Sequence, residues 1–468
     1  MFRLTAPQKN HWSQFGRPIS AVAVVLIIVV MSLLPGVANA DAALVAAPLS
    51  SVPSAEGMQI RARLSSADLQ VAGVRLNRWL IWHLYAAFGF EPIWESHQRE
   101  AAALQNALLS ADEHGLDPNL FHAALIVRAT ALPPADRDLL LSDAFLAYAD
   151  ALARGAVPLE KRRHDDEALE PGSVDVVAAL RAAMVAPEPD TALEALAPNS
   201  TTYARLRQIY AAYRATGAER EAHIVAVNLE RLRWLPRAMP ADRIEVNAAS
   251  AQLLLFRGNT PVFATRVVVG EPDKQTPEMQ AQIESILFNP PWHVPYSIAT
   301  KEFLPRQHSD PGYLAHHNMV LQPDGSIVQR PGAGSSLGQL KFEMPNPFDV
   351  YLHDTPLKGL FARDNRRESH GCVRVENPRE LASLLLREPI GSVNEAISAG
   401  STHREYLPTS LPVFIVYQTV SVGPSGSVQF LQDSYGRDQE VADQLAAPAV
   451  IGNLPDQPQL RSPVAAAR

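Results

Sequence analysis

The spacing of apolar residues along the chain changes near residue 242. Upstream of that point, apolar residues recur at helical intervals, as in REAAALQNALLSADEHGL (99–116) and DLLLSDAFLAYADALARG (138–155). Both segments reach a glycine, which is the residue favoured directly after a helix. This period predicts a helical domain over residues 65–235.

Downstream of residue 242, short apolar runs alternate with polar turns. RIEVNAASAQLLLFRGNTPVFATRVVVG (243–270) contains three β-branched runs, and PVFIVYQTVSVGPSGSVQFLQD (412–433) repeats the pattern. MVLQPDGSIVQ (319–329) predicts a hairpin, because Pro presets φ and Gly accepts a positive φ. We predict an α+β multidomain chain whose second domain, 242–436, is mostly β and sandwich-like. An insertion at about 300–345 contains RPGAGSSLGQ (330–339), whose glycines suit either a mobile lid or only a long loop.

The two ends of the chain are predicted to lie outside these domains. Residues 1–40 have a basic start, an apolar run (21–34) and the small-residue site Ala38-Asn39-Ala40, the three parts of a secretory signal peptide. The apolar run is shorter than the ~20 residues of a spanning helix, and an uncleaved anchor is the alternative. We expect an exported chain, with a linker at 41–64 and a disordered tail at 437–468.

Composition narrows the function classes. The chain has 468 residues, of which 47% are hydrophobic and 19% charged, and its net charge is -8. These values are typical of a globular protein of two or three domains. Basic residues form no long run, so we expect no nucleic-acid partner.

The chain has a single cysteine, Cys372, within ESHGCVRVENP (368–378). A lone cysteine in an exported protein indicates a reactive thiol or an intermolecular bridge, and a buried cysteine acting as a small hydrophobe is the alternative. A thiol with an ordinary pKa of about 8.5 needs a nearby base or cation to become a nucleophile. His353, at the end of a predicted strand, and His370, on the same face of an extended segment, are the candidate bases.

A Cys-His pair indicates acyl transfer or amide hydrolysis. The same residues could instead bind zinc, but a zinc site needs three or four ligands, and the sequence has no second cysteine and no helical histidine pair. We therefore predict a cysteine enzyme that uses neither a metal nor a cofactor.

His353, fifteen further residues and Ser369-His370-Gly371-Cys372 resemble the signature of the L,D-transpeptidases, the YkuD-type cysteine enzymes that remodel bacterial peptidoglycan. The chain also resembles their scaffold-bearing, YcbB-like subgroup over roughly residues 65–436. The segments that carry this second resemblance are EPIWESH (91–97), DEHGLDP (112–118), NLERLRWLPR (228–237), LFNPPWHVP (287–295) and NPFDVYLHDTP (346–356). Larger members carry an inserted peptidoglycan-binding domain before RWLP, and this chain has no room for one.

The resemblance implies a role for each residue of the signature. Cys372 would be the nucleophile that attacks the carbonyl joining the third residue of a stem tetrapeptide to its terminal D-Ala. His353 would be the general base and, later, the acid. Backbone N–H groups of His370, Gly371 and Cys372 would bind the oxyanion, and Ser369 would either support the site or only satisfy a turn.

Four flanking residues have open roles. Arg374 either binds a substrate carboxylate or ties the active loop to the sheet. Asp354 either orients the histidine or caps a loop. Tyr351 and Trp292 either line the cleft or belong to the core.

The resemblance further implies a periplasmic enzyme that transfers the acyl group to an acceptor amine, on a second stem or a lipoprotein. An L,D-carboxypeptidase or amidase that uses water is the alternative. A non-catalytic wall scaffold is a third hypothesis, against which the intact Cys372 and His353 argue. Other cell-wall enzymes are candidate partners of the helical half.

Overall fold

The computed structural model describes residues 53–162, 167–169, 172–423 and 426–446. The predicted signal segment lies outside these residues, as does most of the predicted tail. Within the described ranges, helices dominate up to residue 233 and strands dominate from residue 243, as the change of period predicts. No helix of this described part is long and apolar enough to cross a membrane.

The first half consists of helices joined by short loops. The helices are α1 Ala55–Leu64, α2 Arg78–Ala87, α3 Gln98–Leu109, α4 Ala123–Ile126, α5 Pro134–Arg154, α6 Leu159–Arg162, α7 Val176–Val185, α8 Pro189–Glu194, α9 Thr201–Thr216 and α10 Glu219–Arg233. Short 3₁₀ turns lie at Ala111–His114, Pro118–Phe121 and Ala129–Ala131, and β1 Gln70–Val71 pairs with β2 Val74–Arg75.

Helix α5 is the central helix of this half. It begins with Pro134 in its first turn and ends at Gly155, whose φ of 94° ends the helix. Most of its side chains are buried, including Phe145 and Tyr148, so it is covered on all sides by the other helices. Its buried Asp138 accepts the backbone N–H groups of Ile93 and Trp94, both at 2.9 Å, which satisfies the carboxylate.

Helix α1 shows that the predicted linker at 41–64 is wrong from Ala55 onward. Ser54 caps the helix by accepting the N–H of Gly57, and Ile60 and Leu64 are fully buried in the helical core. The sequence hid this helix because its two buried apolar side chains stand among polar and charged neighbours.

Helices α9 and α10 are joined by Gly217 and Ala218 alone, and Gly217 has a φ of 71°. These helices form an antiparallel pair that carries the segment NLERLRWLPR at its end. The described residues therefore contain no module between α9 and α10, which agrees with the sequence.

The second half is built on a ten-stranded mixed sheet. Its strands are β3 Glu167–Ala168, β4 Arg243–Asn247, β5 Gln252–Arg257, β6 Thr260–Gly270, β7 Glu278–Phe288, β11 Leu340–Glu343, β12 Leu352–His353, β13 Arg367–Ser369, β14 Val373–Val375 and β15 His403–Val416. The order is β11-β12-β14-β6-β5-β4-β15-β7-β3, β13 pairs with β6, and β11 also pairs with β7. This last pairing closes the sheet, so the predicted sandwich-like layers are hydrogen-bonded to each other.

The core of the sheet domain contains the inward side chains of these strands and two helices, α14 Pro378–Leu386 and α15 Ile390–Ser398. Side chains alternate along a strand, so only every second residue enters this core. Val373 of β14 packs there with Leu381 and Val393 of the helices, and all three are at most 1% exposed. The core therefore fixes the inner face of β14, the strand that follows Cys372.

The insertion forms a small unit with its own sheet and apolar cluster. Its elements are β8 Trp292–His293, α11 Tyr296–Ile298, a π-helical turn Ala299–Phe303, α12 Leu304–Ser309, α13 Tyr313–His316, β9 Met319–Leu321 and β10 Ile327–Gln329. The predicted bounds of about 300–345 are wrong at both ends. The unit begins at Trp292, and β11 belongs to the main sheet.

The chain ends, as far as it is described, in the hairpin of β16 Val420–Val422 and β17 Val428–Phe430 and in helix α16 Arg437–Ala446. Val441 and Ala442 of α16 are buried against Val227 and Trp234 of the helical half. The prediction of disorder is wrong for residues 437–446, because a sparsely apolar helix becomes stable only on the surface that it covers.

Candidate active site

The predicted base lies on β12, and the predicted nucleophile directly precedes the neighbouring strand β14. β12 and β14 run parallel, with Leu352 level with Val373 and His353 level with Arg374. Leu352 and Val373 are fully buried in the core. Because successive side chains of a strand point to opposite faces, His353, Arg374 and Cys372 share the other face. The fold thus brings together two residues that are nineteen positions apart.

The thiol of Cys372 is half-buried and faces Tyr351. Tyr351 directs both its backbone N–H and its hydroxyl group to the sulfur, and both contacts lower the pKa of Cys372. Burial has the larger, opposite effect and raises the pKa of the thiol above its usual range. The sulfur also lies 3.9 Å from the carbonyl oxygen of Asp349. The resting cysteine is therefore a protonated thiol at neutral pH.

His353 is 4% exposed, and a backbone carbonyl sets its tautomer. Its Nδ1 lies 2.5 Å from the carbonyl oxygen of Asp354, so Nδ1–H donates and Nε2 remains free to accept a proton. Burial, followed by the charges of Arg374 and Lys341, lowers the pKa of His353 to about 3. The resting pair is consequently a neutral thiol and a neutral imidazole, rather than an ion pair.

The carboxylate of Asp354 does not face the site. It accepts the backbone N–H groups of Thr355 at 2.7 Å and Gln339 at 2.9 Å, and it pairs with Lys358 at 2.7 Å. Of the two roles that the sequence left open, the side chain caps the loop. The orientation of the histidine comes from the backbone of Asp354.

Ser369 shapes the turn before the cysteine. Its hydroxyl oxygen accepts the N–H of Gly371 at 3.2 Å, and its O–H donates to the carbonyl of Cys372 at 2.6 Å. Gly371 has a φ of 111°, which a side chain would strain. The Gly371 N–H, expected to bind the oxyanion, is already used inside the turn. That part of the expectation is corrected, and Ser369 has the turn role.

Sequence reasoning missed Thr276, which fixes the other side of this turn. Its hydroxyl donates to the carbonyl of Gly371 at 2.8 Å and accepts the N–H of Gly270 at 2.8 Å. The hydroxyl of Tyr435 donates to the carbonyl of Gly270 at 2.7 Å. In a trans peptide the C=O and N–H point in opposite directions. Holding the Gly371 carbonyl therefore turns the Cys372 N–H away from Thr276.

His370 faces the insertion with its ring. Its Nε2 lies 2.6 Å from a carboxylate oxygen of Glu302 and 2.9 Å from Nζ of Lys274. Glu302 belongs to the π-helical turn, a feature that is frequent at functional sites. His370 thus links the signature to the insertion, whereas His353 lies on the strand face that it shares with Arg374 and Cys372.

The structure brings the two predicted aromatic residues to the site. The indole N–H of Trp292 hydrogen-bonds to the side chain of Tyr351, whose pKa is raised by burial and by the thiol of Cys372. Trp292 also packs edge-on against Phe303, with ring centroids 5.9 Å apart, in the cluster of the insertion. These contacts make Trp292 the connection between the insertion and the cysteine.

Across the described ranges, no group of three or more His, Cys, Asp and Glu side chains is placed to hold a metal ion. A thiol, a neutral imidazole with a free Nε2 and an oriented backbone N–H are the parts of a cysteine acyltransferase or hydrolase.

Alkylation of Cys372 by iodoacetamide is expected to accelerate continuously from about pH 7 to beyond about pH 9, because burial keeps the thiol protonated at neutral pH. Intact-mass spectrometry measures the rate, and no other thiol contributes because the chain has a single cysteine. A rate that is already constant between about pH 6 and pH 8 would instead indicate a thiolate–imidazolium pair.

Comparisons with known proteins agree with this class of site. Residues 241–414 match the model described as the L,D-transpeptidase catalytic domain, YkuD, and residues 80–209 match the model described as the Scaffold domain. Residues 241–414 therefore correspond to a YkuD-type catalytic domain and residues 80–209 to a scaffold domain, which confirms the resemblance found in the sequence for these two segments.

The relatives cover only parts of the chain. A Haemophilus influenzae protein provisionally named an L,D-transpeptidase is 34% identical over 239 residues, which are 46% of this chain and 48% of the relative, so the match spans about half of that protein. The catalytic domain of an Enterococcus faecium L,D-transpeptidase acylated by ertapenem is 14% identical with a TM-score of 0.22, over 38% of this chain and 98% of that one. A Mycobacterium smegmatis L,D-transpeptidase is 11% identical with a TM-score of 0.21, over 37% and 58%. TM-scores this low support no conclusion about the fold or the site beyond the two family matches.

Proposed function

We propose that the protein is a periplasmic L,D-transpeptidase that acts on peptidoglycan stem peptides. The observation that carries the proposal is the register of β12 and β14, which sets His353 beside the strand that directly follows Cys372. The match of residues 241–414 to the YkuD catalytic domain supports it, and so does the Haemophilus influenzae relative. The basic, apolar and small-residue segments of residues 1–40 support export.

The first half-reaction forms a thioester. Nε2 of His353 takes the thiol proton as the sulfur of Cys372 attacks the carbonyl between the third residue and the terminal D-Ala. The N–H of Cys372, oriented by Thr276, stabilises the oxyanion. The C–N bond then breaks, His353 returns its proton to the leaving amine, and D-Ala departs.

The second half-reaction transfers the acyl group. An amine of a second stem or of a lipoprotein attacks the thioester while His353 accepts its proton. The C–S bond breaks, and the thiolate takes the proton back. Positioned proton transfer of this kind supplies roughly 10²–10⁴-fold in rate. Recruitment of other cell-wall enzymes by the helical half stays a prediction.

Intact-mass spectrometry with a disaccharide-tetrapeptide tests the proposal. The wild type should gain a tripeptide acyl adduct and Cys372→Ala should not, and an acceptor stem should convert the adduct into a cross-linked dimer. Discharge only to free tripeptide would identify a carboxypeptidase with the same Cys-His pair. Absence of any adduct on the wild type would refute cysteine catalysis by this protein.

Thr276→Val is expected to slow acylation by roughly 10- to 100-fold, because it removes the donor to the Gly371 carbonyl and frees the peptide that carries the oxyanion N–H. Thr276→Ser keeps the hydroxyl group and should retain most of the rate. Single-turnover adduct formation at saturating donor measures the effect, with thermal unfolding as the control for folding. Equal rates for Thr276→Val and Thr276→Ser would assign Thr276 a purely structural role.

A further inference from the structure

Two cations flank the general base in one row across the sheet. The antiparallel pairing of β11 with β12 sets Lys341 level with His353, and the parallel pairing of β12 with β14 sets His353 level with Arg374. Neighbouring strands lie about 4.8 Å apart, so the backbones of Lys341 and Arg374 are separated by about 10 Å with the imidazole between them. Phe342, on the opposite face of β11, is fully buried, so Lys341 shares the face of the histidine.

Neither cation forms a salt bridge with a carboxylate among the residues that the structure describes, although the charge of Glu368, which is paired with Arg363, also acts on Arg374. Nζ of Lys341 lies 4.1 Å from the ring centroid of Tyr351, and Nε of Arg374 is buried without a hydrogen-bond partner. Arg366 and Arg367 of the same domain also have a buried Nε without a hydrogen-bond partner, but their guanidinium groups donate to backbone carbonyls. Arg404 is bound to Glu343 by two bonds of 2.5 and 3.0 Å. A buried charge with no partner is costly, which indicates that the ligand of the site completes this pair.

We propose that Lys341 and Arg374 together bind a carboxylate of the donor peptide and thereby switch on His353. This inference rests on the proposed function, because it names the group of the stem peptide that the site recognises. Two carboxylates of such a donor fit this chemistry. One is the C-terminus of the leaving D-Ala, and the other is the side-chain carboxylate that a diaminopimelate carries at the third position.

The charge balance links binding to chemistry. Burial is the largest cause of the low pKa of His353, and in the unliganded site the charges of Arg374 and Lys341 lower that pKa further because they repel a proton on the imidazole. A bound carboxylate offsets this repulsion and makes His353 a stronger base, so the thiol proton is taken faster when the correct substrate is present. A donor that lacks the carboxylate should therefore bind and still react slowly, even at saturation.

Single-turnover acylation of the full chain by four tetrapeptide donors tests this inference. The donors carry both carboxylates, an amidated D-Ala, a third residue without a side-chain carboxylate, or neither group. The wild type should lose roughly 10- to 100-fold in the saturating rate when the recognised carboxylate is removed. The donor series identifies which carboxylate it is, and it needs no variant protein.

Lys341→Met and Arg374→Gln extend the test. Each variant should lower the saturating acylation rate with the carboxylate donor by a similar factor. Neither should lower it much further with the donor that lacks the carboxylate. Arg374→Lys should retain more of the rate than Arg374→Gln. Arg404→Gln removes a cation that is already paired with Glu343, on the strand of Lys341, and serves as the matched control. The inference would be overturned if each variant lost the same factor in acylation rate with all four donors, or if the wild type acylated with all four donors at the same rate. Either result would leave the proposed function intact. Failure of the wild type to acylate with every donor would refute both.

Discussion

Replacing His353 by glutamine is expected to lower the rate of Cys372 acylation by about 10²–10⁴-fold, whereas His370→Gln should keep most of the rate. The residues alone leave both histidines as candidate bases, the family resemblance favours His353, and the structure gives the two rings different surroundings. His353 presents a free Nε2 because its Nδ1–H is bound to the Asp354 carbonyl. The His370 ring is held by Glu302 and Lys274 on the side of the insertion.

Single-turnover adduct formation with the two-carboxylate tetrapeptide measures this pair of variants. His353→Gln should recover part of its rate at high pH, where hydroxide deprotonates the thiol without help from a base. The same recovery is not expected for Cys372→Ala, which has no nucleophile. An equal loss in His353→Gln and His370→Gln would show that the base has been assigned to the wrong side chain.

The sequence predicted the parts of this molecule that depend on local spacing. The change from a helical period to short β-branched runs indicated the helical and the β-rich halves, and His353 with Ser369-His370-Gly371-Cys372 indicated the candidate site. Strands β4, β5 and β6 lie within the segment where three runs were predicted. Such features are encoded by neighbours along the chain.

The features that the sequence did not predict depend on pairings between distant segments. Lys341 becomes a neighbour of His353 only through the register of β11 with β12, and Thr276 reaches Gly371 across ninety-five positions. The sequence predicted a disordered tail in place of helix α16, because Val441 and Ala442 stabilise this helix only when they pack against Trp234 and Val227. Sequence spacing contains no signal for these contacts, since each is created by the fold itself.

Glu230→Gln is expected to destabilise the protein by about 3–5 kcal/mol, because it breaks a fully buried ion pair and leaves the charge of Arg233 without compensation. Glu230 accepts Nη2 of Arg233 at 2.8 Å, the backbone N–H of Val157 at 2.8 Å and the indole N–H of Trp234 at 2.9 Å. It thereby ties the end of α5 to the segment that leads into the sheet domain.

The matched control is Glu219→Gln at the start of α10, the helix that also carries Glu230. There an exposed ion pair with Arg214 at 3.8 Å contributes at most about 1 kcal/mol. Urea denaturation followed by circular dichroism measures both variants. Burial alone would raise the pKa of Glu230, but Arg233 and Arg162 outweigh it and hold that pKa below its usual value. The contribution of the carboxylate is thus complete above the pKa of the unfolded chain and is lost as the pH falls through the lower pKa of the folded state. The difference in stability between the wild type and Glu230→Gln should therefore be largest near neutral pH and shrink in acid. A difference that stays constant across this range would mean that packing, and not the charge of Glu230, holds this junction together.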